Sequence, residues 1–528
     1  MEAMISAPRM QNQFTPTTSF AFARRALAIF LLLLAAGCDG NTNASAPLSA
    51  GTQATAAHMD AEPPEMPPAP IEASRPEPQP SVELAKTPNI LLLSVDTLRA
   101  DHLSIYGYER PTSPAIDAYF ANATVYNNAY SAEANTPPSV MSILSGLYPS
   151  RHRVRQFYQR IPSAIPVLPD FLRAAGYETA AVVSNVVLTN EATGLATRFD
   201  MYDDFVDERE ESLKVYERRA SRTTDAGLAW LNERTDSERP HFLWLHYIDP
   251  HGPYERPIDA KTATFDHDTP QPIDLKRVIA YQRKPGVTDG KTYIDRYDEE
   301  IAYTDGEIGR FLAAYDALGY GATAIVVLTA DHGENMIEHE VYFNHGHQVW
   351  NSVMRVPLLV RVPGGNRAIV DRPVSLTDVA PTLLDMIDYP LVPRSKPFDG
   401  KPVASRSDTD SISLEAGAVN QTGSGKWVYR QHRALVSGQH KWFASVDRAG
   451  DVVASGSFDL VSDPGEVNPI EWRLGGKANT LLGWFEADPD PVGLPTSGLK
   501  GERLEGPKIA PGRTPDQIEA LRALGYVE

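Results

Sequence analysis

Short apolar runs alternate with segments of helical periodicity over most of the chain. Each run is nearly continuous, which is typical of a strand buried on both faces of a sheet. The runs lie at residues 89–95, 179–183, 241–247, 323–329 and 358–362, and the helical patterns at 167–175, 212–233, 293–315 and 375–387. This alternation predicts an α/β fold with a large, mostly parallel sheet sandwiched by helices.

The character of the chain changes after about residue 395. Residues 396–425 are rich in Ser, Asp and Gly, which predicts a loop. Short apolar runs and a final helical pattern follow at residues 427–430, 434–436, 442–446, 452–460 and 515–524. We therefore expect a first domain over residues 87–395 and a smaller α+β subdomain over residues 396–528.

Polar side chains follow three of the predicted strands directly. Asp96 follows the first, Asp249 and His251 follow the third, and Asp331 and His332 follow the fourth. In α/β sheets, ligands bind beyond the carboxyl ends of the strands, so these side chains are expected at one edge. A carboxylate at that position is well placed to hold a hard metal ion.

A threonine followed by two prolines predicts the start of a helix at Thr136. Threonine is favoured as an N-cap, and proline is favoured at the first helical position. A hydroxyl placed there faces free backbone N–H groups, which suit a phosphate or sulfate group. Threonine becomes a nucleophile only when a base or a metal activates it.

Composition limits the partners of the protein. Its 528 residues include 68 acidic and 49 basic ones, a net charge of −19, which gives no general attraction to nucleic acid or acidic membranes. The single cysteine, Cys38, excludes an intrachain disulfide and a cysteine-based metal site. The oligomeric state is left open by the sequence.

The first 38 residues predict an export signal. Arg24 and Arg25 precede an apolar run of eleven residues, 26–36, which is too short to span a membrane. The run leads into Gly37 and Cys38, and this resembles a bacterial lipoprotein signal in which the cysteine is diacylated. The resemblance implies a lipid-anchored protein of the cell envelope. Asp39 favours the periplasmic face of the inner membrane.

Residues 39–86 predict a tether between the lipid anchor and the folded part. Residues 60–80 contain eight prolines and five acidic residues, with almost no large apolar side chains. A segment of this composition cannot bury enough surface to offset the entropy of ordering it. Proline stiffness and like charge keep such a segment extended.

The order and spacing of the polar segments resemble the sulfatase branch of the alkaline phosphatase superfamily over roughly residues 88–395. Asp96 and the segment 331–335 match the two metal-binding segments of that family, and Thr136 matches the nucleophile position. His251 and His345 match residues that contact the sulfuryl or phosphoryl oxygens of the substrate. The resemblance implies a metal-dependent ester hydrolase or transferase.

Two departures from the family pattern change this expectation. Sulfatases carry Cys or Ser, then Pro, then Arg where this chain has Thr136, Pro138 and Val140. In sulfatases the Cys or Ser is converted to formylglycine, which a threonine cannot form. The second metal-binding aspartate is replaced by Thr97. Both departures are shared with members that use threonine directly, among them phosphodiesterases and phosphoglycerol or phosphoethanolamine transferases.

The resemblance therefore implies one divalent cation held by Asp96, Asp331, His332 and the Thr136 oxygen. A nitrogen ligand favours manganese or zinc over magnesium or calcium. The Thr136 alkoxide would attack the phosphorus of a phosphate ester, with a sulfate ester as the other substrate class. His251 and His345 would act on the substrate as catalytic groups, and Arg99 and His347 would bind its oxygens.

Two alternatives stay open at this stage. The protein is a sulfuric ester hydrolase that works without formylglycine, or it is a catalytically inactive, membrane-tethered protein that binds anions. His246, which lies inside the third predicted strand, is expected to be structural.

Overall fold

The computed structural model describes residues 87–206, 208–210, 215–234, 237–255, 262–390, 397–421, 427–447, 449–472 and 476–488. All of them lie within one unit, Pro78–Glu528. The predicted lipoprotein signal with Cys38, the predicted tether and the predicted helix at 515–524 fall outside the described residues. The predicted domain boundary at residue 395 stays a prediction. Among the described residues, every helix is too short or too polar to span a membrane.

A large sheet forms the centre of the fold, with the strand order β12-β2-β11-β9-β1-β8-β4-β5. Strands β9, β1, β8, β4 and β5 run parallel to one another, whereas β11 is antiparallel to both β9 and β2. The strands of this sheet are β1 (Ile90–Val95), β2 (Thr124–Tyr126), β4 (Glu178–Val183), β5 (Met201–Asp203), β8 (His241–Tyr247), β9 (Ile325–Ala330), β11 (Leu358–Arg361) and β12 (Ala368–Val370).

Every residue of β1, β8 and β9 is buried, so both faces of the sheet are covered at its centre. This burial explains why the three strands have nearly continuous apolar sequences. Their register places Ser94 beside His246 on one side and beside Thr329 on the other. The carboxyl ends of the three strands therefore lie side by side, directly before Asp96, Asp249 and Asp331.

The helices are α1 (Pro114–Tyr119), α2 (Thr136–Ser145), α3 (Pro149–His152), α4 (Leu168–Ala174), α5 (Asn190–Thr193), α6 (Ala220–Glu233), α7 (Gly290–Ala317), α8 (Asn351–Met354), α9 (Val379–Met386) and α10 (Gly476–Ala487). The predicted start of α6 at residue 212 is wrong, because Val215–Glu217 forms a strand, β7, that pairs with β6 (Glu208–Glu210). The helix begins where the Asp249 carboxylate accepts the Ala220 N–H at 2.8 Å.

A separate antiparallel sheet follows the strands of the large sheet along the chain, in the order β14 (Ser411–Gln421), β15 (Trp427–Ser437), β16 (His440–Val446) and β17 (Val452–Asp459). The prediction of a loop over residues 396–425 is wrong for residues 411–421, because β14 pairs with β15 along its whole length. Ile412, Leu414 and Ala416 are buried on one face of β14. Helix α10 was not predicted. Short strands β3 (Ala129–Tyr130), β10 (Arg355–Val356) and β13 (Val374–Ser375) form a small third sheet.

Candidate active site

Helix α2 carries Thr136 to the carboxyl edge of the central strands. The helix begins at Thr136 itself, with Asn135 as the N-cap, one residue before the predicted cap. Ser139, one turn further on, donates its hydroxyl to the backbone carbonyl of Asp331 at 2.5 Å. This bond ties the start of α2 to the end of β9. The Thr136 hydroxyl is consequently buried beside the residues that follow β1 and β9.

Asp96 and Asp331 each have one carboxylate oxygen with hydrogen-bond donors and one without. Asp96 Oδ2 accepts Asn185 Nδ2–H at 2.7 Å and lies 3.4 Å from Thr136 Oγ1. Asp331 Oδ1 accepts the backbone N–H groups of His332 at 2.9 Å and of Thr97 at 3.3 Å. Asp96 Oδ1 and Asp331 Oδ2 are buried and have no hydrogen-bond partner among the described residues.

The backbone at Thr97 contributes to this arrangement. Thr97 has a φ of 56°, a left-handed conformation that is unusual for a β-branched residue. The hydroxyl of Tyr297 donates to the Thr97 carbonyl at 2.7 Å, which supports that conformation. It is the Thr97 N–H that reaches Asp331, so the residue at the family's second aspartate position contributes a backbone donor.

His332 points a bare ring nitrogen at the same place. Its Nδ1 lies 2.9 Å from the Gly333 carbonyl, which only accepts, so Nδ1 carries the proton and the neutral ring has a lone pair on Nε2. That Nε2 lies 3.6 Å from Asp331 Oδ2, 3.8 Å from Asp96 Oδ1 and 3.3 Å from Thr136 Oγ1. One ligand atom from each of Asp96, Asp331 and His332 lies within 4.8 Å of the others.

These donors fit a divalent cation. Two buried carboxylate oxygens without partners and an imidazole lone pair converge, and a hydroxyl oxygen lies beside them. Leaving such oxygens buried without a hydrogen bond or a cation is costly, because a buried charge needs a compensating partner. The mixture of oxygen and nitrogen donors suits manganese or zinc.

The proton affinities of the three groups follow from their burial and their mutual charges. Burial would raise the pKa of Asp96, but the imidazole of His246, 3.6 Å away, and the other neighbouring imidazoles lower it. Burial raises the pKa of Asp331, and the negative charge of Asp96 raises it further. Burial would lower the pKa of His332, but Asp331 and Asp96 raise it. The raised pKa values of Asp331 and His332 both reflect the cost of placing two carboxylates side by side in a buried site, a cost that positive charge at this place relieves.

The imidazole rings of His251 and His345 lie next to that of His332. The ring of His345 lies 4.5 Å from that of His332 and 5.2 Å from that of His251, measured between centroids. His251 Nδ1 bonds to the Gly252 carbonyl at 2.8 Å, and this leaves its Nε2 bare in the neutral ring. Burial lowers the pKa of His251, and burial together with His332 lowers the pKa of His345 to about 3.

Arg99 has different contacts from those that were predicted. Its guanidinium forms a bidentate pair with Asp101, at 2.7 and 2.9 Å, and also donates to Glu338 at 2.7 Å and to the Glu334 carbonyl at 3.0 Å. These contacts hold Arg99 at a cavity of about 450 Å³ that Arg355 also lines. The described contacts do not bring it to Thr136, and its role as a substrate ligand stays a prediction.

His347 faces the C-terminal sheet. Its ring bonds to the backbone of Gly417 on β14, and burial lowers its pKa to about 4. The structure therefore places His347 at the contact with β14, two residues beyond His345. Its predicted role in substrate binding also remains a prediction.

Several residues that contact the candidate site were not predicted. Asn185 is the second residue after β4, whereas Asp96 is the first after β1, so a search for polar residues just beyond each strand could have identified it. Glu334 lies 3.3 Å from His345 Nδ1 and accepts the Tyr254 hydroxyl at 3.0 Å. Burial raises the pKa of Glu334 to about 7. Its position after Gly333 in the second metal segment was the only signal.

The glycine after His332 is required by packing. A Cβ atom at Gly333 would lie 2.3 Å from the backbone oxygen of Ser352, far inside van der Waals contact. The Gly333 N–H donates to the Val353 carbonyl at 2.8 Å, so the two segments run against each other without space for a side chain. This close contact positions the carbonyl that orients His332.

The chain matches the family model described as sulfatase over residues 88–389, more than half of its length. It is similar to an arylsulfatase of Clostridium perfringens, with 25% identity over 371 residues, 56% of this chain and 74% of the relative. It is also similar to iduronate 2-sulfatase of Homo sapiens, with 25% identity over 381 residues, 62% of this chain and 66% of the relative.

Solved structures share the fold. A phosphonate monoester hydrolase of Agrobacterium radiobacter superposes with a TM-score of 0.58 at 18% identity, covering 76% of this chain and 95% of that chain. A structure in complex with its substrate D-glucosamine-2-N,6-O-disulfate has the same TM-score and identity, covering 77% and 98%. The predicted family and fold class are thus confirmed. The chain belongs to the sulfatase family of the alkaline phosphatase superfamily, and it is an ester hydrolase of that family.

Proposed function

We propose that this protein is a metal-dependent hydrolase of phosphate or sulfate esters in which Thr136 is the nucleophile. One observation carries the proposal: the Thr136 hydroxyl lies 3.4 Å from Asp96 and 3.3 Å from the bare nitrogen of His332. Asp96, Asp331 and His332 would hold the cation. When bound there, a divalent cation supplies positive charge that lowers the pKa of a hydroxyl it contacts.

The reaction begins with attack of Thr136 Oγ1 on the phosphorus or sulfur atom of the ester. The Thr136 hydroxyl gives up its proton as an oxygen–phosphorus or oxygen–sulfur bond forms to Thr136, and the bond to the departing alcohol breaks, so that the proton lost by Thr136 balances the one that the alcohol gains. The alcohol oxygen takes up one proton. Water, or an acceptor alcohol in a transferase, then releases the group from Thr136 and restores the hydroxyl.

His251 and His345 would transfer that proton. Their low pKa values favour neutral imidazoles in the free site. An anionic ester between the two rings would raise both pKa values, because a nearby negative charge favours the imidazolium form. Either ring can then hand a proton to the leaving oxygen and recover it from the attacking water.

A sulfate ester is the second candidate substrate class. The two relatives described above, from Clostridium perfringens and Homo sapiens, are sulfatases by name, and this supports sulfate. The unmodified threonine supports phosphate, because sulfatases use formylglycine at this position. We favour phosphate for this reason and treat sulfate hydrolysis without formylglycine as the alternative.

The test is a comparison of matched aryl esters. Purified protein would be loaded with Mn²⁺ or Zn²⁺ and assayed with 4-nitrophenyl phosphate, bis(4-nitrophenyl) phosphate and 4-nitrophenyl sulfate. We expect turnover that requires the metal, with the phosphate esters faster, and a covalent adduct on Thr136 in rapidly quenched samples. Faster turnover of the sulfate ester would favour the sulfate alternative. Turnover of none of the three esters, together with tight anion binding, would favour the inactive alternative and overturn the proposal.

We also propose that the protein is anchored to the cell envelope by a lipid on Cys38. The support is the single cysteine at the end of the apolar run, followed by Asp39. Two acyl chains anchor a protein stably to a membrane, whereas a single chain gives only reversible attachment. Expression of wild type and Cys38→Ala, with incorporation of labelled palmitate, tests this. Equal label in both proteins would exclude Cys38 as the acylated residue.

A further inference from the structure

A buried histidine, His246, lies next to Asp96. His246 is fully buried, and its Nε2 lies 3.6 Å from Asp96 Oδ2. No described residue is within hydrogen-bond distance of that nitrogen. A purely structural buried histidine is expected to satisfy both ring nitrogens, because an unsatisfied buried polar atom is destabilising. The free nitrogen is instead aimed at a carboxylate of the candidate metal site.

The sheet register accounts for this placement. Ser94 on β1 and His246 on β8 are direct neighbours in the parallel pair. Side chains alternate between faces along a strand, so Asp96 lies on the same face as Ser94, and Trp244 on the same face as His246. The four side chains therefore form one buried row that crosses from β8 to β1 and ends at Asp96.

The hydrogen bonds along this row have one direction. The indole N–H of Trp244 only donates, and it donates to Ser94 Oγ at 2.8 Å. The described hydrogen bonds give the Ser94 hydroxyl one acceptor, His246 Nδ1 at 2.8 Å. His246 Nδ1 is therefore the acceptor nitrogen, and the ring proton lies on Nε2, facing Asp96.

His246 thus has the opposite tautomer from His332. The Nδ1–H of His332 donates to a carbonyl, and its bare Nε2 faces the cation site. The Nε2–H of His246 is a donor and cannot ligate a cation in this form. At 3.6 Å from Asp96 Oδ2 this N–H lies beyond hydrogen-bond distance, and its dipole adds positive potential at the oxygen that already accepts Asn185. This arrangement leaves Asp96 Oδ1 as the oxygen that is free to bind the cation.

We propose that His246 is a positioning residue for Asp96, held as the Nε2–H tautomer by the Trp244–Ser94 pair, so that Asp96 presents its Oδ1 to the cation. This inference rests on the proposed function, because Asp96 would be a cation ligand only in that function. Mutation of a residue that orients a metal ligand without itself binding the metal typically lowers the metal affinity 10- to 100-fold.

Two variants of His246 separate positioning from packing. His246→Met fills the volume but has no donor. His246→Gln has an amide nitrogen four bonds from Cα, the same number as His Nε2, and can still donate to Asp96. We expect Mn²⁺ affinity, measured by chelator competition, to fall about 10- to 100-fold in His246→Met. We expect His246→Gln to recover most of that loss.

Tyr247→Phe is the matched control. It removes a buried hydroxyl from the neighbouring position of β8, where Tyr247 contacts Thr224 on the other face of the sheet. We expect its Mn²⁺ affinity to equal that of wild type. Unchanged Mn²⁺ affinity in His246→Met would overturn the inference, and so would an equal loss in His246→Met and His246→Gln, which would instead assign His246 as a direct ligand.

The tautomer can be read without metal or substrate. Selective ¹⁵N labelling of histidine, with assignment from His246→Gln, reports which ring nitrogen carries the proton. We expect Nε2–H in wild type and loss of that preference in Ser94→Ala. An Nδ1–H signal for His246 would overturn the inference regardless of catalysis. Wild-type protein that binds no Mn²⁺ would refute the proposed function first, and this inference with it.

Discussion

The Nε2 atom of His332 lies 3.3 Å from the Oγ1 atom of Thr136, although 196 positions separate the two residues. The contact arises because α2 begins where β9 ends and is tied there by Ser139. An imidazole lone pair and a hydroxyl at this distance, next to two buried carboxylates, are the basis of the predicted chemistry. The following predictions test separate parts of that arrangement.

Removal of the Thr136 hydroxyl should abolish turnover. Thr136→Val keeps the shape of the side chain, and we expect kcat to fall by roughly 10³-fold or more, because the loss of a nucleophile removes the covalent step. Thr136→Ser keeps a hydroxyl at the same atom and should retain measurable activity. Steady-state kinetics on the preferred aryl ester measures both. Equal activity of Thr136→Val and wild type would contradict the assignment.

Loss of the amide beside Asp96 should weaken metal binding. Asn185→Ala removes the donor 2.7 Å from Asp96 Oδ2, and we expect Mn²⁺ affinity to fall about 10- to 100-fold. Asn127→Ala is the control, because Asn127 also donates to an aspartate at 2.7 Å but on the exposed surface. Chelator competition gives both affinities. Equal changes in the two variants would contradict the prediction.

A bound cation should stabilise the fold. A ligand that binds only the folded chain adds about 2.7 kcal/mol when present at 100 times its Kd. We therefore expect Mn²⁺ to raise the Tm of wild type and a chelator to reverse the rise. Asp331→Asn removes one of the two buried carboxylates and should lose most of the shift. Differential scanning calorimetry with and without Mn²⁺ measures this, and an undiminished shift in Asp331→Asn would argue against the site.

A buried ion pair joins helix α9 to the segment before the C-terminal sheet. Arg406 binds both oxygens of Asp378 at 2.6 Å, and both side chains are almost fully buried. Arg406→Ala leaves the Asp378 charge buried, and we expect the free energy of unfolding to fall by about 3–5 kcal/mol. Arg277→Ala breaks an exposed pair with Glu340 and should change it by less than about 1 kcal/mol. Urea denaturation compares the two.

Stability should decrease in acid because of buried imidazoles such as His241. Burial and the Arg234 guanidinium, which donates to Nδ1 at 3.0 Å, lower the pKa of His241 from 6.5 to about 3. The unfolded chain gains a proton below pH 6.5 that the folded chain does not take up. The free energy of unfolding is therefore highest, as far as His241 is concerned, above pH 6.5. It decreases by about 1.4 kcal/mol for each pH unit as the pH falls from 6.5 toward 3.

The variant His241→Gln tests this sign. We expect the free energy of unfolding of wild type to fall more steeply between pH 7 and pH 5 than that of His241→Gln, by about 2 kcal/mol in total. Urea denaturation at the two pH values measures the difference. Parallel pH profiles would show that His241 is protonated equally in the folded and unfolded states.

The central strands and the polar residues that follow them were predictable from sequence. Strands buried on both faces must be apolar throughout, so β1, β8 and β9 are visible as uninterrupted runs. Their parallel alternation with helices places the following residues at one edge, and Asp96 and Asp331 lie there. The beginning of α2 was found to within one residue, because proline marks the first turn of a helix.

The details that depend on distant partners were decided by the tertiary structure. Strand β14 has a Ser- and Gly-containing sequence and forms because β15 pairs with it along its whole length. Arg99 lies close in sequence to Asp96, but Asp101 and Glu338 bind its guanidinium. The tautomer of His246 depends on a serine and a tryptophan that only the strand register brings beside it. Local periodicity and composition reflect what each segment must bury, whereas hydrogen-bond partners are set by which segments pack together.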